Sequence, residues 1–258
     1  MNVSRVAIVT DSTACIGAVR AGADLRTVEV MVLFTDREAG DRDVDPGEVY
    51  ERLARGEAVK SQAPAAAAYL EAIEAGDHDG VLVLTPADEF TVMAHNARLA
   101  ADLATRSTVV VDTRTAAAGH GLVVRAAVAA AREGADLERV SDVARATASR
   151  VELVAAMYEP SYLEHSGHIQ APAEVMIARF RDGQVVPLAA AGDPLRALAT
   201  SWRKGAGAAD TTLVFHSALG ERAELLRRTL GVEEPVLACG AAMGAHVGPG
   251  LVGVAWLR

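Results

Sequence analysis

The run Gly80-Val81-Leu82-Val83-Leu84, followed by Thr85-Pro86-Ala87-Asp88-Glu89-Phe90-Thr91, decides the fold class. A short, unbroken apolar run that ends in turn residues predicts a strand buried on both faces. After Thr91, the residues Met93, Asn96, Ala97, Ala100 and Leu103 recur at helical spacing, and Thr91 is the predicted N-cap. The same order of strand, polar turn and helix occurs on either side. Val6-Ala7-Ile8-Val9 runs into Thr10-Asp11-Ser12-Thr13. Residues 109–111 run into Asp112-Thr113-Arg114-Thr115, then into an alanine-rich helix over 116–133 and a further helix over 137–149.

Between these units, residues 28–34 predict one more strand and residues 35–47 an exposed acidic loop. Asp45-Pro46 signals a helix start, with the helix over 48–55. In Lys60-Ser61-Gln62-Ala63-Pro64 the proline suits the first turn of a helix that runs to residue 75, which places Ser61 just outside that helix. Repeated β-α units predict parallel strands with right-handed crossovers. Ligands bind such sheets beyond the carboxyl ends of the strands, where helix N-termini favour an anion.

The second half has a different pattern. Residues 151–157 predict a strand, 162–169 a short helix ending in a glycine turn, and 174–180 a strand that Asp182-Gly183 turns back as a hairpin. A helix follows from Asp193-Pro194 to residue 202, then a glycine-rich linker over 204–210, a strand over 211–216 and an amphipathic helix over 219–230. The expected fold is α/β in two domains: a parallel-sheet domain over residues 1–150 and a smaller mixed α/β domain over 151–258, with a ligand cleft between them.

Composition narrows the function. The chain has 258 residues and is 51% hydrophobic, enough to bury a full core. Its formal net charge of -9, with no lysine or arginine run to relieve it, argues against a nucleic-acid surface. No apolar run is long enough to span a bilayer, and no signal peptide is expected, so the predicted location is the cytoplasm. Cys15 and Cys239 read as buried free thiols without metal-ligand spacing, and no phosphate-cradling glycine loop occurs; no cofactor or metal is called for.

Gly244-Ala245-His246-Val247-Gly248-Pro249-Gly250 lies between strand-like runs at 236–239 and 251–256. It reads as a stiff loop that is either a plain turn with an incidental histidine or a device presenting His246 to a polar ligand.

Together these stretches resemble the DegV family of bacterial fatty-acid-binding proteins, over nearly the whole length. Val9-Thr10-Asp11-Ser12-Thr13-Ala14 is similar to the family's opening motif. Lys60-Ser61-Gln62-Ala63-Pro64 resembles its Thr-Ser-Gln-Pro loop, with Lys60 in place of threonine. Phe90-Thr91-Val92-Met93 stands where its Leu-Ser-Gly-Thr loop does, and His246-Val247-Gly248-Pro249-Gly250 matches its terminal motif. The turn His165-Ser166-Gly167-His168-Ile169 resembles a Gly-Gly-Arg-Ile turn with His168 in place of the arginine.

The resemblance implies a long-chain fatty acid in an apolar tunnel between the domains. Ser61, Thr91 and His246 would contact the carboxylate, and His168 would lie near the mouth. It also implies a non-catalytic protein that presents the carboxylate to a fatty acid kinase. The competing reading is a hydrolase of acyl esters, with Ser61 or Thr91 as nucleophile, His246 as base and Asp11 or Asp112 orienting it. Against it, Ser61 lacks the Gly-x-Ser-x-Gly setting of a nucleophile elbow.

Overall fold

A computed structural model describes residues 5–17, 24–162, 175–188, 192–205 and 212–258. Strands β1 (Val6–Asp11) and β2 (Leu25–Val28) begin a parallel sheet, and β3 (Met31–Leu33) and β4 (Glu38–Gly40) begin a small antiparallel one. Helix α1 (Pro46–Ala54) and strand β5 (Lys60–Gln62) follow, then α2 (Ala66–Glu74), β6 (Gly80–Thr85), α3 (Met93–Leu103) and β7 (Thr108–Asp112). The parallel sheet has the order β2-β1-β6-β7 and the small sheet the order β4-β3-β5. Every residue of β1 and β6 is buried, as continuous apolar runs require.

Helices α4 (Ala117–Arg132) and α5 (Leu137–Ala148) lead into β8 (Val151–Met157), β9 (Met176–Arg181) and β10 (Gln184–Pro187). The chain then continues through α6 (Pro194–Gly205), β11 (Thr212–Ser217), α7 (Gly220–Leu230), β12 (Leu237–Ala238), α8 (Ala241–Val247) and β13 (Leu251–Leu257). The second main sheet is mixed, with the order β10-β9-β8-β13-β11-β12. This is the expected α/β architecture, with α4 packed between the two main sheets. Its first two turns are buried all round, against Ile8 and Leu82 on one side and Leu153 and Phe215 on the other. That setting explains why the helix sequence is apolar on every face. Gly121 fits there because a Cβ would run into the Cys15 carbonyl. Both cysteines are free and buried.

Several expectations are corrected. The run over 28–34 is two strands in two sheets: the chain leaves the parallel sheet after Val28, where the Val30 N–H donates to Ser12 Oγ at 3.1 Å. The stretch over 35–47 is more than a loop, since it holds β4 and a 3₁₀ turn at Asp41–Asp43 whose first aspartate is buried. The Asp45 cap is as expected, accepting from the Gly47 N–H at 2.8 Å. Lys60–Gln62 is an edge strand and α2 starts only at Ala66, so Pro64 precedes the helix and Ser61 is not at a helix N-terminus. The N-cap of α3 is Val92, without a side-chain cap bond, and Thr91 stands one residue before it. The strand expected over 236–239 shrinks to Leu237–Ala238, and His246 lies on helix α8 and not in a loop. Helix α6 continues to Gly205, into the stretch read as a linker. The helix expected over 162–169 falls almost wholly outside the described residues, as does His168.

Candidate functional site

Ser61 is the middle residue of β5, paired with Val32 of β3. His246 is in the last turn of α8 and half-buried. Their side chains meet, with Ser61 Oγ hydrogen-bonded to His246 Nε2 at 2.6 Å across 185 residues of sequence.

Helix α8 is held at three points. At its start, buried Asp41 accepts from the Ala242 N–H at 2.7 Å. A Cβ on Gly240 would lie 2.7 Å from the Asp41 carboxylate, so the cap closes only on glycine. Burial pushes the Asp41 carboxyl up, against the hydrogen bonds from Ala242 and Ser12, and nearby Glu29 and Asp11 add to the rise. In the middle, Gly244 lies against Tyr50 of α1, where a Cβ would be 2.9 Å from the ring. At the end, Ser217 donates to the Gly248 carbonyl and accepts from the Tyr50 hydroxyl at 2.9 Å, since one hydroxyl has one proton to give. Gly248 has φ +66, and a Cβ there would enter the Tyr162 ring. The glycines of this stretch thus serve close contacts and a positive-φ helix end.

Two cavities meet at the Ser61–His246 pair, and these two residues are common to both linings. One cavity, about 300 Å3, is mostly apolar; among its described lining residues only Thr13, Ser61, Thr91 and His246 carry polar side chains. The other, about 610 Å3, is lined by Leu53, Glu57, Lys60 and Tyr162 as well as the pair. Thr91 therefore shares the apolar cavity with Ser61 and His246.

The β9–β10 hairpin closes one side of the apolar cavity through Phe180 and Val185. Its Asp182-Gly183 turn has φ +52 and +73, as expected of this dipeptide. Arg114 ties the turn to the parallel-sheet loops: its guanidinium donates to the Asp182 carbonyl at 2.6 Å and to Glu89 at 2.9 Å, and its carbonyl accepts from the Gly183 N–H at 3.0 Å. Phe90 and Phe180 meet edge to face at 6.3 Å.

Behind the cavity lies a buried polar cluster. His120 Nε2 is 2.9 Å from Thr10 Oγ1 and its Nδ1 is 3.0 Å from Thr113 Oγ1. Asp11 Oδ2 stands 3.4 Å from His120 Nε2, and Asp11 Oδ1 accepts from the N–H and hydroxyl of Thr13. Burial alone would raise the Asp11 carboxyl, but His120 and Thr13 outweigh it and hold it below the usual range. Asp112 accepts from the backbone N–H of Asp88 and Arg114. Both aspartates considered as orienting groups for a Ser–His base are thus engaged elsewhere.

Sequence reading leaves out Asp41, Tyr50 and Ser217, which set the position of α8, because nothing local marks them. The signal for His120 is visible: a single imidazole in an otherwise apolar, glycine-bearing helix. Among the described residues no group of three or more His, Cys, Asp or Glu is placed to hold a metal ion, and no helix is long and apolar enough to cross a membrane.

A family model described as "Uncharacterised protein, DegV family" matches residues 5–258. Solved structures share the fold. A DegV lipid-binding protein of Thermotoga maritima superposes with TM-score 0.84 at 22% identity, covering 98% of both chains. A fatty-acid-binding DegV family protein of Thermus thermophilus gives 0.87 at 22% identity, over 98% of this chain and 99% of its own. The fatty acid kinase B3 protein of Streptococcus pneumoniae, loaded with linoleic acid, gives 0.87 at 16% identity with the same coverage. No curated relative matches the chain.

Proposed function

The chain belongs to the DegV family, and from that premise we propose that it binds a long-chain fatty acid and presents the carboxylate to a fatty acid kinase without catalysing a reaction itself. The observation that carries this reading is the Ser61–His246 pair at the junction of an apolar cavity without charged residues and a second cavity that includes Lys60 and Glu57. An amphiphile fits such a junction: its chain lies along Phe90, Met93 and Phe180, and its head sits at the pair. A carboxylate taken out of water needs donors or it protonates. The Ser61 and Thr91 hydroxyls and the His246 ring supply them; a role for His168, which lies outside the described residues, rests on the resemblance alone. The fatty acid and kinase named for the relatives support the choice of ligand and partner. A cytoplasmic site of action fits a kinase partner and two free thiols.

The test is mass spectrometry of lipid extracted from the purified protein, followed by calorimetric titration of the delipidated protein with a long-chain fatty acid. Bound fatty acid without turnover of acyl esters is expected. Ester hydrolysis that disappears in Ser61→Ala would overturn the reading.

A further inference from the structure

The apolar cavity has no charged residue among its described lining, and the chain as a whole is anionic at -9. An acid approaching it meets a repulsive field unless a cation stands at the head-group end. The second cavity, beyond the Ser61–His246 pair, holds one, since Lys60 lines it and directly precedes Ser61 on β5. Lys60 is exposed and, among the described residues, makes no ion pair. The only acid among the described residues of that lining, Glu57, is occupied by Arg52 at 3.2 Å and Arg55 at 2.9 Å. Among the described residues this leaves a lysine charge in the lining that the Ser61–His246 pair also shares. A lysine ammonium on its flexible four-carbon stem acts as a mobile point charge, suited to a head group that is partly solvated.

We propose that Lys60 selects for charge: from the second cavity it attracts an anionic head group held at the Ser61–His246 pair, so that the protein takes long-chain acids in preference to neutral lipids of the same length. This rests on the fatty-acid reading above. The acyl cavity sets chain recognition, and Lys60 sets acid against alcohol.

The test uses delipidated full-length protein with myristic acid and 1-tetradecanol as probes, each measured at low and high salt. The variants are Lys60→Met, which keeps the stem and removes the charge, and Lys60→Arg, which keeps the charge. The wild type should prefer the acid. Lys60→Met should weaken acid binding by about fivefold, the size of a solvent-screened charge pair. Its alcohol affinity should stay unchanged, and the salt dependence of acid binding should flatten. Lys60→Arg should retain the preference. Acid affinity unchanged in Lys60→Met, or acid and alcohol affinity falling together, overturns the proposal while leaving fatty-acid binding intact. A wild-type protein that takes up no acid overturns the parent reading and this one with it.

Discussion

Ser61 and His246 share a 2.6 Å hydrogen bond although one is on an edge strand of the smallest sheet and the other on a seven-residue helix near the C-terminus. Neither side chain holds the site alone. His246→Ala should weaken fatty-acid binding by about 1.5–3 kcal/mol and Ser61→Ala by about 1–2 kcal/mol. Because the two are in contact, the double variant should lose less than the sum. Calorimetric titration of the four proteins measures this, and strictly additive losses would show that the pair does not act as a unit.

Gly244 is where α8 rests on α1, 2.9 Å from Tyr50 for any added Cβ. Gly244→Ala should push the helix off Tyr50 and separate His246 from Ser61. Overpacking of this kind costs about 1–3 kcal/mol. Thermal unfolding should show that loss, and ligand affinity should fall with it. An alanine variant with full affinity would mean that His246 reaches the ligand from more than one helix position.

The clearest parts of the sequence were those buried on both faces. β1 and β6 stand out as unbroken apolar runs because helices cover both sides of the parallel sheet. The split between β2 and β3 was hidden for the same reason, since both halves are apolar while packing in different sheets. β5 is polar and three residues long, so no periodicity announces it. α8 was obscured by its glycines, which read as loop residues but serve the contacts with Asp41, Tyr50 and Tyr162. Ser61, Thr91 and His246 of the candidate site were legible as motif residues, and the residues that position helix α8 were not, because Asp41 and Tyr50 meet it about 200 positions away in sequence.

Asp41 gives a prediction with a definite sign. Its carboxyl is raised by burial, so the protonated form is favoured in the fold. The stability it contributes is fully present below the unfolded carboxylate value and is lost as pH rises through the raised folded value. Asp41→Asn keeps an acceptor for the Ala242 N–H and removes that loss. It should match or exceed the wild type in stability at neutral pH, with the difference shrinking on acidification. Asp41→Ala removes the cap acceptor and should cost about 1 kcal/mol. Denaturant unfolding across pH separates the two, and an asparagine variant much weaker than wild type at neutral pH would contradict the assignment.

Asp11 has the opposite sign. Its folded carboxyl is depressed, so its contribution is present above the unfolded carboxylate value and is lost as pH falls through the folded one. His120→Leu removes the partner of a fully buried carboxylate and should cost about 3–5 kcal/mol at neutral pH. In that variant burial is left dominant, so the slope at this group should reverse and the variant should recover towards the wild type in acid. A parallel pH profile for the two proteins would show that His120 does not hold the Asp11 charge.

The hairpin over the cavity rests on Arg114, which makes both polar contacts to the turn and adopts φ +55. Phe180 and Val185 line the cavity from this hairpin, which is the edge of the second main sheet, so a movement of its turn end exposes the apolar wall while the β8–β9 pairing beyond Phe180 holds. Arg114→Gly removes the guanidinium and keeps the carbonyl that accepts from Gly183, and glycine adopts the left-handed backbone freely. The ion pair with Glu89 is partly exposed and adds little by itself, about 0–1 kcal/mol. The unfolding temperature should therefore move little. Fatty-acid release to acceptor vesicles should quicken by about fivefold, because opening costs one screened contact less. Gly183→Ala should quicken it further: φ +73 disfavours the alanine and its Cβ would enter the Glu89 carboxylate. Release rates identical to wild type in both variants would place the exit path away from the hairpin, on the Lys60 side of the Ser61–His246 pair.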